Sequence, residues 1–99
     1  MQAVRFSIII ALFSGSLIFA DESIERGESR SATCATCHGI KGVSKNPLWP
    51  NLAGQKKNYL IKQLKDFKSG KRKDSLMSPL VQTLSDQDIE DIGAYYDSL

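Results

Sequence analysis

From Gln55 to Lys68 the residues Tyr59, Leu60, Gln63, Leu64 and Phe67 recur at three- and four-residue steps, while Lys56, Lys57, Lys62, Lys65 and Lys68 fall opposite them. That spacing predicts an amphipathic helix, ended by Gly70. A second stripe, Ile89, Ile92, Tyr95, Tyr96 and Leu99, predicts a last helix. Ser85 stands at its N-cap and Asp88 at the capping-box position. A further helix is expected from a cap at Ser23 towards Cys34, with Glu25 in its first turn and Gly27 on its inner face. Glycine inside a helix costs about 1 kcal/mol relative to alanine, so Gly27 marks a close crossing, and the small Gly93 and Ala94 are the expected counterpart. No stretch alternates apolar and polar residues as a strand would. The expected class is all-α: three main helices joined by long loops, with no sheet.

The longest of those loops runs from Gly39 to Gly54, where three glycines and two prolines break any period. Ile40, Val43, Leu48, Trp49 and Leu52 are nevertheless too many apolar residues for an exposed loop, so something has to cover them.

The N-terminus has another pattern. Met1 to Ala20 carries one charge, Arg5, ahead of an apolar run from Phe6 to Ala20 that is broken by Ser7 and by Ser14, Gly15 and Ser16. This is a signal-peptide profile, shorter than the roughly 20 apolar residues of a spanning helix, and cleavage is expected after Ala20. An uncleaved membrane anchor is the alternative. The mature chain then runs from Asp21 to Leu99, which is 99 less 20, or 79 residues, and forms one domain. At that size an apolar core alone is marginal.

Charge narrows the partners. The whole chain has 13 basic and 11 acidic residues, and loss of Arg5 leaves 12 against 11. Such a balance provides no strong field for nucleic acid or a membrane. The charges are grouped, however: 21–28 is acidic, 56–73 basic and 86–97 acidic. Such runs usually mean solvated helix faces, and the basic one also offers a docking surface.

The candidate chemistry lies at Cys34-Ala35-Thr36-Cys37-His38. Two cysteines three residues apart on a helical turn point to one side, where both sulfurs can bond to one edge of a porphyrin. His38 then lies under the ring with an imidazole nitrogen for the iron. A thioredoxin-like site would need a βαβ pattern. A structural zinc site would need four ligands, and two cysteines and one histidine leave it short unless a carboxylate joins. A disulfide between Cys34 and Cys37 would close too small a loop to stabilise much. The large apolar ring also answers the shortage of core and the uncovered loop residues. Because core and haem pocket must coincide in so small a chain, Leu52 and Tyr59 are expected to contact the haem. Met77 is the only methionine after Ala20, and it precedes Pro79, which stiffens its segment. A soft thioether suits the sixth iron position.

The chain from about Ser23 to Leu99 resembles the small bacterial class I c-type cytochromes, in particular cytochrome c-553 and each half of the two-haem cytochrome c4. The matching stretches are Cys34-Ala35-Thr36-Cys37-His38-Gly39, Pro50-Asn51-Leu52-Ala53-Gly54-Gln55, Tyr59-Leu60, Gln63-Leu64, Phe67-Lys68-Ser69-Gly70-Lys71-Arg72, Met77-Ser78-Pro79, Leu84-Ser85-Asp86 and Ala94-Tyr95-Tyr96. This resemblance implies one haem c held by thioethers from Cys34 and Cys37, axial ligation by His38 and Met77, and a crossing of the first and last helices. It also implies that the Pro50 carbonyl accepts the other ring N–H of His38. One CxxCH, where the two-haem relatives have two, means one haem per chain. The function so implied is one-electron transfer in the periplasm between redox protein partners, with no substrate transformed. Lys62, Lys65, Lys71, Arg72 and Lys73 are the expected steering charges at its docking face, and a monomer or weak dimer is expected. Two rivals stand beside it: a haem subunit of a redox enzyme such as a sulfide-oxidising flavocytochrome, and a ligand-binding haem sensor or peroxidase-like protein.

Overall fold

A computed structural model of the chain describes residues 2–10 and 18–99, with side chains of the helical part described from Glu22 onward. Among the described residues there are five helices and no strand: α1 (Ile18–Arg30), α2 (Ala32–His38), α3 (Lys57–Ser69), α4 (Met77–Val81) and α5 (Asp86–Asp97). The all-α class holds, with two more helices than the three main ones expected.

The predicted first helix is two pieces. It already runs at Ile18, so Ser23 lies inside α1 and is not its cap. At Ser31 the helix is interrupted for one residue, and the Ser31 hydroxyl donates to the Glu28 carbonyl at 2.7 Å. Such back-bonding by serine competes with the helix's own ladder. The ladder nevertheless runs through the break, with the Ser31 N–H donating to the Gly27 carbonyl and the Ala35 N–H to the Ser31 carbonyl, each at 2.9 Å, so α2 follows α1 directly.

The crossing expected at Gly27 is present. A Cβ on Gly27 would lie 2.0 Å from the Asp91 carbonyl oxygen and 2.7 Å from Tyr95 Cβ, so α1 and α5 meet backbone to backbone there. Gly93 serves another contact. Its missing Cβ faces Ile61 and Lys57 of α3, and the residues that meet Gly27 are Asp91 and Tyr95. The small Gly93 thus seats α5 on α3, one face round from the expected crossing.

α5 starts as its sequence predicts. The Asp88 N–H donates to Ser85 Oγ and the Ser85 N–H to Asp88 Oδ2, each at 3.0 Å, which closes the capping box. Nothing of the kind caps α3 locally, and the Lys57 N–H donates to Asp97 Oδ2 at the far end of α5. α3 therefore begins two residues later than predicted and ends at Gly70, whose φ of 84° is the left-handed conformation that glycine adopts freely.

Where these helices meet, Leu60, Leu64, Phe67, Val81, Ile89, Ile92, Tyr95 and Tyr96 form one buried cluster. Three predicted stripe members lie outside it: Tyr59 is 50% exposed, Leu99 43%, and Gln63 is half-buried. Asp91, which the stripe pattern had left on the polar side, is buried at 2% exposure. Its carboxylate accepts from Arg26 of α1 at 2.8 and 3.1 Å and from Gln87 at 2.9 Å. These bonds hold the Asp91 carboxyl below the usual carboxylate range, the Arg26 contact most of all.

Residues 2–10 have no secondary structure and are exposed. Part of the predicted leader, residues 11–17, lies outside the described residues. Among those described, no helix is long and apolar enough to cross a membrane.

Candidate functional site

α2 carries the Cys-Ala-Thr-Cys-His stretch on two turns. Cys34 and Cys37 are half-buried and not joined to each other, and His38, the last helical residue, is 8% exposed. Burial pushes the Cys34 thiol up from its ordinary value. The chain reverses at once after His38. Gly39 has φ of 90°, and a Cβ there would fall 2.0 Å from the Val43 carbonyl oxygen, so only glycine permits the loop to fold back beneath the imidazole.

The reversal brings Pro50 to the ring. His38 Nδ1 lies 2.7 Å from the Pro50 carbonyl oxygen. A carbonyl can only accept, so Nδ1 carries the proton and Nε2 is left with a free lone pair. This bond both orients the ring and fixes the nitrogen that can bind a metal. The loop holds Pro50 through the three residues that follow it. Asn51 Oδ1 accepts from the Ser44 N–H at 2.7 Å, and the Gly42 carbonyl accepts from the Leu52 and Ala53 N–H at 2.8 and 3.0 Å. Ser44 Oγ in turn makes bonds with the Cys37 and Asn46 carbonyls. Ser44 and Asn51 were not singled out from sequence, although short polar side chains in a glycine-rich loop signal such turns.

Met77 is the first residue of α4, so the segment expected as a loop contains a short helix, with Pro79 in the first turn where proline is tolerated. The Leu76 and Met77 N–H groups both donate to Asp74 Oδ1 at 2.9 Å. Ser78 Oγ accepts from the Asp74 N–H at 3.0 Å, and the Ser78 N–H donates to the Asp74 carbonyl at 3.0 Å. Asp74 also escaped the sequence reading, yet its place three residues before Met77 is the spacing of a side-chain cap.

Cys34, Leu52 and Met77 are partly buried against the same core cluster, which therefore joins the attachment residue, the loop and the thioether. Two observations test whether a large apolar group fits here. Ile40 and Leu48 are 83% and 84% exposed, and Val43, Leu76 and Leu80 are also exposed, so protein atoms do not cover the apolar residues beside His38 and Met77. Among the described residues, Tyr96 Oη is the buried side-chain polar atom without a hydrogen-bond partner, and burial together with the neighbouring Cys34 pushes its phenol up. The sequence reading expected the loop residues to be covered, and the polypeptide alone leaves most of them bare. Two thiols, one imidazole lone pair, one thioether and an apolar surround fit a haem. Among the described residues, no three His, Cys, Asp or Glu side chains gather where they could hold a metal ion by themselves, as the zinc alternative would need.

In the basic run, Lys62 pairs with Asp66 at 2.5 Å, and Arg72 lies 4.5 Å from the Phe67 ring centre while donating to Gln63. Lys68 Nζ donates to the Leu84 carbonyl. Lys65, Lys71 and Lys73 are exposed.

A family model described as cytochrome c matches residues 24–99. Cytochrome c4 of Pseudomonas aeruginosa is 41% identical over 98 residues, covering 99% of this chain and 49% of that protein. Cytochrome c-554(548) of Halomonas halodenitrificans is 47% identical over 75 residues, covering 73% of this chain and 90% of that one. The crystal structure of reduced recombinant cytochrome c4 from Pseudomonas stutzeri superposes with a TM-score of 0.72 at 44% identity, over 76% of this chain and 44% of that one. The chain spans about half the length of the cytochromes c4 it matches.

Proposed function

The chain belongs to the cytochrome c family, and from that premise we propose that it is a periplasmic one-electron carrier with a single haem c. When bound, the haem supplies an iron that cycles between ferrous and ferric states. Cys34 and Cys37 hold it by thioether bonds, His38 Nε2 and the Met77 sulfur are the axial ligands, and Pro50, Leu52 and Tyr59 line its surroundings.

The single observation that carries this reading is the 2.7 Å contact of His38 Nδ1 with the Pro50 carbonyl, immediately after the two half-buried cysteines. It commits Nε2 to be the ligand before any metal arrives. The carbonyl also draws on the imidazole proton and strengthens the ring as a donor to iron. A ligand-binding sensor would need one open iron position. The half-buried Met77, its N–H tied to Asp74, supports a closed pair of axial ligands and so a carrier. With both positions filled by protein, small molecules are kept from the iron and the protein transforms no substrate.

Exposed Lys65, Lys71 and Lys73 are the proposed steering charges for an acidic redox partner. Lys62 and Arg72 take a smaller part because Asp66 and Gln63 already engage them. Export rests on the sequence of residues 1–20, with cleavage after Ala20 leaving α1 to begin near Asp21.

The test is a visible spectrum of periplasmic protein from cells that mature c-type cytochromes. The haem should resist extraction by acid acetone, and the oxidised form should show the weak far-red sulfur-to-iron band that Met77→Ala abolishes. Colourless protein, extractable pigment or an unchanged band in Met77→Ala would end the proposal.

A further inference from the structure

The reading of Met77 as an iron ligand leaves one question open: what keeps a flexible thioether on the metal. Methionine has three rotatable side-chain bonds, so its sulfur is placed only as well as its backbone is. α4 is five residues long, too short to be stable by its own hydrogen bonds, and Val81 is its one buried residue. Val81 anchors the C-terminal end, and the Gln82 side chain adds bonds to the Ser78 and Lys68 carbonyls at 3.1 and 3.3 Å. The Met77 end depends on something else. There, four hydrogen bonds join Asp74 to Leu76, Met77 and Ser78, two of them accepted by one carboxylate oxygen.

We propose that Asp74 is a positioning residue for Met77: with Ser78 it forms a clasp that sets the fraction of time the sulfur is held against the haem iron. This rests on the reading of Met77 as axial ligand. Geometry supports it through the four bonds, which tie the backbone of Met77 and of both its chain neighbours to Asp74. Removing a side-chain cap of this kind shifts the closed-to-open ratio about fivefold.

Imidazole titration of the oxidised, haem-loaded protein reads the open fraction, because added imidazole binds iron only when the sulfur is off, and its apparent Kd falls as the open population grows. Asp74→Ala should lower that Kd about fivefold and weaken the far-red band, with an unchanged far-UV circular dichroism spectrum. Asp74→Asn keeps a side-chain oxygen that can accept the same two N–H groups, so it should restore the Kd to within about twofold of the parent. An Asp74→Ala Kd equal to the parent's overturns the clasp. So does an Asp74→Asn protein as weakened as Asp74→Ala, since charge and not the acceptor would then be responsible. Failure of the underlying ligand assignment has a different signature: Met77→Ala would leave the parent's imidazole Kd and far-red spectrum unchanged.

Discussion

Replacing Gly27 by alanine tests the helix crossing that the rest of the fold is hung on. An ideal Cβ at Gly27 falls 2.0 Å from the Asp91 carbonyl oxygen, 2.6 Å from the Asp91 carbonyl carbon and 2.7 Å from Tyr95 Cβ. Ordinary contact distances are about 3.5 Å or more, so α1 and α5 would have to separate by roughly 1 Å. The obstacle is mostly backbone and cannot rotate aside. Overpacking of this kind costs about 1–3 kcal/mol and sometimes more, against a gain of about 1 kcal/mol from alanine's helix propensity. A 2.0 Å clash with backbone puts the cost at the upper end of that range, so a net loss of about 2 kcal/mol is expected, or a fall in Tm of about 8–16 °C for a domain of this size. Gly93→Ala is the matched control. It gains the same propensity, but its nearest neighbours are Ile61 Cγ1 and the Lys57 carbonyl at 3.2 Å, where shifts of a few tenths of an ångström suffice. Its net effect should stay within about 0.5 kcal/mol. Guanidinium unfolding of both haem-loaded variants, followed by far-UV circular dichroism with the m-value checked for constancy, gives the comparison. The reasoning fails if Gly27→Ala matches the parent, or if Gly93→Ala loses as much.

Ser85→Ala should remove the capping box of α5 and cost about 1 kcal/mol, read as a lower guanidinium midpoint at constant m; no change would mean that packing alone sets the start of α5. Asp91 has a depressed carboxyl pKa in the fold, so its pair with half-exposed Arg26 stabilises fully above the unfolded value of about 3.9 and loses that effect as pH falls through the folded value. Asp91→Asn should therefore be less stable than the parent at pH 7, with the gap closing in acid, and thermal melts that show a gap independent of pH would contradict the assignment. Asn51→Ala deletes the acceptor of the 2.7 Å bond from Ser44 and should cost about 1 kcal/mol. By loosening the loop that presents the Pro50 carbonyl, it should also speed solvent exchange of the His38 ring N–H in NMR of the reduced protein, and an unchanged exchange rate would separate that loop from the histidine.

Features contained within one or two helical turns were legible in the sequence. Ser85 and Asp88 make their box, Gly70 ends α3, and His38 follows two half-buried cysteines, because covalent spacing alone brings those groups together. The resemblance of the whole segment added what spacing could not, the Pro50 carbonyl at His38. Tertiary packing decided the rest. A period of 3.6 residues says that a helix has an apolar stripe and not where the stripe ends, so only the contacts of α5 with both α1 and α3 turn Tyr59 and Leu99 outward and Asp91 inward. The same contacts give Gly27 and Gly93 different neighbours. Arg26 and Asp91 stand 65 residues apart in the chain, and no local pattern can announce a bond whose partner arrives from another helix.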